Sequence, residues 1–131
     1  LQAKETQHVE MVAMRAVIAA EQELGFEPHD VSADKCGYDV ESRDPKGESR
    51  LRFIEVKGRF QGADTVTVTK NEILTGLNKP DQFILAIVQV DGERAVEITY
   101  VREPFGREPD FGVTSVNYRL PELLSRGESP R

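Results

Sequence analysis

Three side chains in this sequence have the types and spacing to hold a divalent metal ion. Fifteen residues separate Asp39 from Glu55, and Lys57 follows Glu55 by two. Side chains in an extended strand alternate faces, so Glu55 and Lys57 share one face while Ile54 and Val56 turn to the other and enter a core. Between Asp39 and Glu55 lie Asp44, Pro45, Lys46 and Gly47, residues that favour a turn. The strand carrying Asp39 should therefore fold back antiparallel and bring Asp39 close to Glu55. Two carboxylates beside a lysine suit a divalent cation. The competing reading is a cross-strand ion-pair cluster, which is ordinary in a chain with 31% charged residues.

The elements that must position these groups can be read outward from them. Residues 38–43 and 50–57 predict two strands joined by a turn over 44–49. Residues 58–64, with Gly58 and Gly62, predict a loop. Residues 65–69 alternate threonine and valine over a short strand. Thr69 and Glu72 stand in the S/T-x-x-E relation of a capping box, which predicts a helix from there to about residue 77. The free N–H groups of that first turn, together with Lys70 and Asn71, suit a phosphate. Upstream, Val9, Val12, Ala13, Ala16, Val17, Ala20 and Leu24 recur at three- and four-residue steps and Gly25 supplies a stop, so residues 4–24 read as an amphipathic helix. Glu10 and Glu21 lie eleven residues apart, close to three full turns, and fall on nearly the same side of it.

Residues 26–35 carry Pro28, His29, Asp30, Ser32 and Asp34 without a period and predict a polar connector. The apolar run from Phe83 to Val88 predicts a strand over 82–90, buried on both faces at the sheet centre. Asp91 and Gly92 make a hairpin turn into an alternating strand over 95–101. A surface loop over 102–112, an edge strand over 113–120, a helical turn over 121–124 and a flexible tail over 125–131 complete the chain.

A length of 131 residues predicts a single domain, residues 1–131, and 38% hydrophobic content is enough for a core. The sequence opens without methionine and carries no signal segment or membrane-length apolar run, so it reads as a piece of a larger intracellular protein, cytoplasmic or nucleoid-associated. The single cysteine, Cys36, has no partner for a disulfide or a zinc site, and His8 and His29 have no metal-ligand spacing. A net charge of −6 argues against a generally basic nucleic-acid coat. Residues 35–79 nevertheless hold nine basic against seven acidic side chains. That local excess brings Arg50, Arg59 and Lys70 to the motif region.

The phrases Gly37, Tyr38, Asp39 and Ile54 to Arg59 resemble the two motif positions of the PD-(D/E)xK nuclease superfamily. With Asp30, Val31, Ser32 and Thr69, Lys70, Asn71, Glu72, the wording is similar to the domain of unknown function named after the C-terminus of plant NO VEIN proteins, from about residue 9 to residue 90. The resemblance implies an α/β (α+β) fold with a restriction-endonuclease-like three-layer core, a mixed central sheet of about five strands flanked by helices. It implies a Mg²⁺- or Mn²⁺-dependent endonuclease acting on DNA, with Asp39, Glu55 and the Val56 backbone carbonyl as metal ligands. Lys57 would orient the attacking water or stabilise developing charge. Relatives of this kind often add a glutamate from the first helix, here Glu10 or Glu21, and Arg50, Arg59, Lys70 and Asn71 are the expected DNA contacts. Such domains are often fused to helicase-like ATPases in DNA-processing or defence proteins. The alternative is a nuclease-fold module that binds DNA or a protein partner without cutting.

Overall fold

The computed structural model describes residues 2–131, with side chains from residue 5 onward. Helix α1 (Gln2–Glu23) leads into β1 (Glu27–Asp30), a short 3-10 turn (Ser32–Asp34), β2 (Val40–Arg43) and β3 (Arg52–Phe60). Then come β4 (Thr65–Thr69), α2 (Lys70–Asn78), β5 (Phe83–Asp91), β6 (Arg94–Arg102), β7 (Ser115–Arg119) and α3 (Leu120–Ser125). Five strands form one sheet in the order β1-β2-β3-β5-β6, and β4 and β7 form a separate two-stranded ribbon. β3 and β5 run parallel while the other neighbours are antiparallel, so the sheet is mixed as expected. A parallel pair needs a long crossover. Here β4 and α2 provide it.

Alternation along β3 and β5 divides the core into two layers. Ile54, Ile84, Ala86 and Val88 face α1 and pack on Ala13 and Val17. Phe83, Leu85 and Ile87 face the other way, onto Val66, Val68, Ile73 and Leu120 from the ribbon and the two short helices and Phe105 from the loop after β6. The result is three layers, with α1 on one face of the sheet and α2, α3 and the ribbon on the other.

Several elements differ from their sequence reading. The expected connector over 26–35 contains β1, paired residue for residue with β2. It is a sheet edge with mostly exposed residues, so no alternation marks it, and its proline is tolerated there because one side of an edge strand needs no N–H partner. β3 continues through Gly58 to Phe60 instead of breaking into a loop. A Cβ on Gly58 would lie 2.8 Å from the Ala13 Cβ and 2.9 Å from the Val9 carbonyl oxygen, so the glycine lets α1 lie directly on the strand. The middle position of the sheet belongs to β3, with β5 beside it. β7 pairs with β4 rather than edging the main sheet. The terminal residues read as a flexible tail are held against β6: Glu128 and Tyr100 exchange backbone hydrogen bonds of 2.7 and 3.0 Å, and Arg52 and Arg102 both donate to the Arg131 carbonyl.

Glu21 sits inside this arrangement, fully buried. It accepts two hydrogen bonds from Arg52, at 2.9 and 3.0 Å, and one from the Tyr100 hydroxyl at 2.7 Å. Burial, then the Glu21 contact, raises the Tyr100 pKa far above its ordinary value and keeps the phenol protonated. Glu21 is thereby removed as a candidate metal ligand. Eleven residues of helix rise about 16 Å, so the two helix glutamates share a side but stand at opposite ends. Deleting one partner of a buried ion pair costs about 3–5 kcal/mol. Glu21→Ala should lower the urea-unfolding free energy by that amount and Glu10→Ala, at an exposed position, by about 0.5 kcal/mol or less. Equal losses from the two would mean that the Arg52 contact is not holding the fold.

Candidate active site

β2 and β3 pair only as far as Val40 opposite Ile54. One residue further out the Asp39 backbone N–H still donates to the Ile54 carbonyl, at 2.9 Å, and its side chain then takes over: Oδ2 accepts the Val56 N–H at 2.9 Å. The chain leaves the ladder there through Gly37, whose φ is +92° and where a Cβ would meet the Thr75 hydroxyl at 2.1 Å. Only glycine fits that turn. Within a strand the N–H and C=O of one residue point to the same edge, so the Val56 carbonyl also opens on the gap that Asp39 occupies.

Glu55 and Lys57 come from the β3 face turned toward α2. Glu55 is 3% exposed, and Lys57 Nζ lies 3.4 Å from it and 2.9 Å from Glu72 Oε1. Glu72 comes from the first turn of α2, where the expected capping box is present: Thr69 Oγ1 accepts the Glu72 N–H at 3.2 Å and Glu72 accepts the Thr69 N–H at 2.9 Å. Glu72 thus caps the helix and anchors the lysine together. These groups lie in a cleft of about 770 Å³, also lined by Thr6, Gln7 and Glu10 of α1, by Asp30, by Arg59 and by Thr65 and Thr67 of β4.

The protonation states follow from the crowding. Burial first, then the neighbouring Asp39 and Glu72 charges, push Glu55 up to about 10. Asp39 is raised as well, chiefly by burial, against the opposing pull of the Val56 N–H and the hydrogen bond from Glu55. At neutral pH Glu55 therefore holds its proton, with the Asp39 and Glu72 carboxyls beside it. For Lys57 burial works against the charge, but Glu55 and Glu72 outweigh it and raise the pKa. Burial likewise opposes ionisation of Glu72, and the Lys57 hydrogen bond and charge overcome it.

Among the described residues no group of three or more His, Cys, Asp or Glu side chains is arranged to hold a metal ion. A cage built from side chains alone, as for zinc, is thus not what the cleft offers. Magnesium needs less, one or two carboxylates with water and substrate oxygens completing its shell. Asp39, Glu55 and the Val56 carbonyl fit that requirement, and the proton on Glu55 is what a cation would replace.

Of the other sequence candidates, Glu10 lines the cleft from an exposed helix position and Arg59 lines it while donating from Nε to the Thr65 carbonyl at 2.8 Å. Lys70 and Asn71 stand on the first turn of α2, with Lys70 Nζ 5.8 Å from the Phe111 ring centroid. The structure does not bring Arg50 to the cleft. It is exposed, 3.3 Å from Asp81, and borders a separate cavity with Phe26, Arg52 and Arg102. The residue that sequence reasoning used only as a cap is Glu72; its place in the four-residue phrase from Thr69 was the one available signal of a second role.

The chain belongs to the family described as Protein NO VEIN, C-terminal, which it matches over residues 9–101. That span runs from α1 to β6 and contains Asp39, Glu55, Lys57 and Glu72. No curated protein and no solved structure matches the chain. Among the described residues no helix is long and apolar enough to cross a membrane.

The buried acid gives a pH dependence of definite sign. Glu55 ionises near 4.5 when unfolded and near 10 in the fold, so its contribution is fully present below the first value and is lost as pH rises toward the second. The Glu72 contribution is complete above about 4.5, and that of Lys57 persists until pH exceeds about 10.5, so neither changes between pH 6 and 9. In EDTA the domain should be about 1–3 kcal/mol less stable to urea at pH 9 than at pH 6, and Glu55→Gln should flatten the profile. Wild-type stability that is level across this range would mean that Glu55 is already ionised.

Proposed function

We propose that this domain is a Mg²⁺- or Mn²⁺-dependent DNA endonuclease of the PD-(D/E)xK type, working within a larger DNA-processing or defence protein alongside a helicase-like ATPase. The observation that carries the reading is the pair of crowded carboxyls, Asp39 and Glu55, in one cleft with a charged lysine where β3 loses its partner on the β2 side. A bound cation in such a site polarises the scissile phosphate and lowers the pKa of water. Asp39, Glu55 and the Val56 carbonyl would hold it. Glu72 keeps Lys57 protonated and aimed, so its ammonium can orient the attacking water and stabilise charge on a phosphate oxygen. Arg59, at the cleft wall, supplies a phosphate contact.

The second reading is a nuclease-fold module that binds DNA or a protein partner without cutting. What favours it is that Lys57 is already engaged by two protein carboxyls, in a domain with a net charge of −6.

Cleavage separates the two. Single-stranded, duplex and branched DNA would be incubated with the domain in Mg²⁺ and in Mn²⁺, with an EDTA control. Asp39→Asn and Glu55→Gln should abolish cleavage while the melting temperature without metal stays level or rises, because the crowding of the carboxyls is relieved. Lys57→Met should still bind metal but cut about 10²–10³-fold more slowly. Metal binding by wild type with no cutting of any substrate at enzyme excess would leave the binding-module reading, and cleavage surviving in both carboxyl variants would place the chemistry outside this cleft.

A further inference from the structure

The ribbon of β4 and β7 has two unlike faces. Val66, Val68, Val116 and Tyr118 pack inward. Outward stand Thr65, Thr67 and Thr69 of β4, directly opposite Arg119, Asn117 and Ser115 of β7. In a chain with 23 acidic residues against 17 basic, this face has no acid and one arginine. Cations flank it as well. Arg59 is hydrogen-bonded to the Thr65 carbonyl, and the Lys70 backbone N–H donates to the Thr114 carbonyl at 2.9 Å, beside the Thr69 end. Thr65 and Thr67 are also cleft residues, so the face continues into the site that holds Lys57.

Past the Thr69 end the loop between β6 and β7 presents Phe111. Its ring is fully exposed, at 102%, on a turn closed by the Val113 N–H and the Asp110 carbonyl at 3.0 Å. Lys70 Nζ stands 5.8 Å from the ring centroid, and the Asp110 carboxylate is paired with Arg107 at 3.6 Å. A lone exposed aromatic ring needs no explanation. One held next to an ammonium, at the end of an acid-free hydroxyl and amide face that leads into a cleft, has the makings of a single-strand binding surface: cations and hydroxyls for phosphates, and an aromatic face for a base.

We infer that the outer face of the β4–β7 ribbon is a track for single-stranded DNA, with Phe111 as its stacking post, so that the cleft receives a strand with an unpaired segment. This rests on the nuclease-type reading for the identity of the polymer and deepens it by naming the substrate class. Thr65 and Thr69 are about 13 Å apart along the strand, at about 3.3 Å per residue. Thr65, Thr67, Asn117 and Arg119 would contact phosphates, and Phe111 the face of a base. Duplex DNA could lay a ribbon in its major groove but offers Phe111 no free base face, which is why the ring favours an unpaired strand.

The test is fluorescence polarisation in EDTA with labelled oligothymidylate and a blunt duplex of the same length, with wild-type cleavage in Mg²⁺ assayed separately. Wild type should bind the single strand at least about tenfold more tightly. Phe111→Ala should weaken that binding about tenfold, Phe111→Tyr should restore it, and neither should move the melting temperature, since the ring is exposed. Arg119→Ala should reduce the slope of log affinity against log salt by about 0.7. Preference for the blunt duplex, or full single-strand affinity in Phe111→Ala, would overturn the track even if the domain cuts DNA. Phe111-dependent single-strand binding by a domain that cuts nothing would uphold the track while the nuclease reading fails.

Discussion

Beyond Ile54, β3 has no strand beside it on the β2 side among the described residues, and the Asp39 side chain replaces the missing ladder bond by accepting the Val56 N–H. The rest of the site depends on that substitution. A normal continuation of β2 would have closed the edge with backbone and left no room for a carboxylate. Because a side chain does the pairing, a second oxygen of Asp39 stays available, the Val56 carbonyl faces an open gap, and Glu55 is brought against Asp39. The turn at Gly37 makes the departure possible, since the Thr75 side chain fills the space where any other residue would carry a Cβ.

Charge in the cleft is arranged by the same geometry. Two carboxyls crowded together with little solvent cannot both stay ionised, so one keeps a proton. Lys57 does not neutralise that pair alone, because its shortest contact, 2.9 Å, is to Glu72 from the α2 cap. The capping box therefore links a local signal, the start of a helix, to a long-range one, the placement of a lysine on β3. Local consistency of this kind lets one short phrase of sequence serve folding and site assembly together.

The approach of Asp39 to Glu55 and Lys57 was legible from the turn over 44–49 and the alternation along β3, as were β4, the capped α2 and the doubly buried β5, but the exit of Asp39 from the strand expected over 38–43 was not. What stayed hidden had no local signature. β1 is an edge strand whose pairing is visible only from β2. Glu10 and Glu21 are equivalent on a helical projection, and only the packing of α1 along the sheet sends one to the cleft and the other under Arg52. The terminal residues carry no strand pattern, yet two arginines far apart in sequence hold the Arg131 carbonyl. Arg50 and Arg52 are two residues apart, and their different fates, a surface pair with Asp81 and a buried pair with Glu21, are decided by elements that neither touches in sequence.

The contact between α1 and Gly58 sets a dimension as well as a packing arrangement. Thr6, Gln7 and Glu10 form one wall of the cleft, and the helix that carries them is seated on β3 at Gly58, the residue next to Lys57, where the strand has no side chain to hold it off. The width of the cleft is therefore gauged by the strand backbone against the Val9 carbonyl and the Ala13 methyl. Exchanging side chains along that wall would retune what the cleft grips without changing how wide it is, and only a rigid displacement of the whole helix would alter its bore.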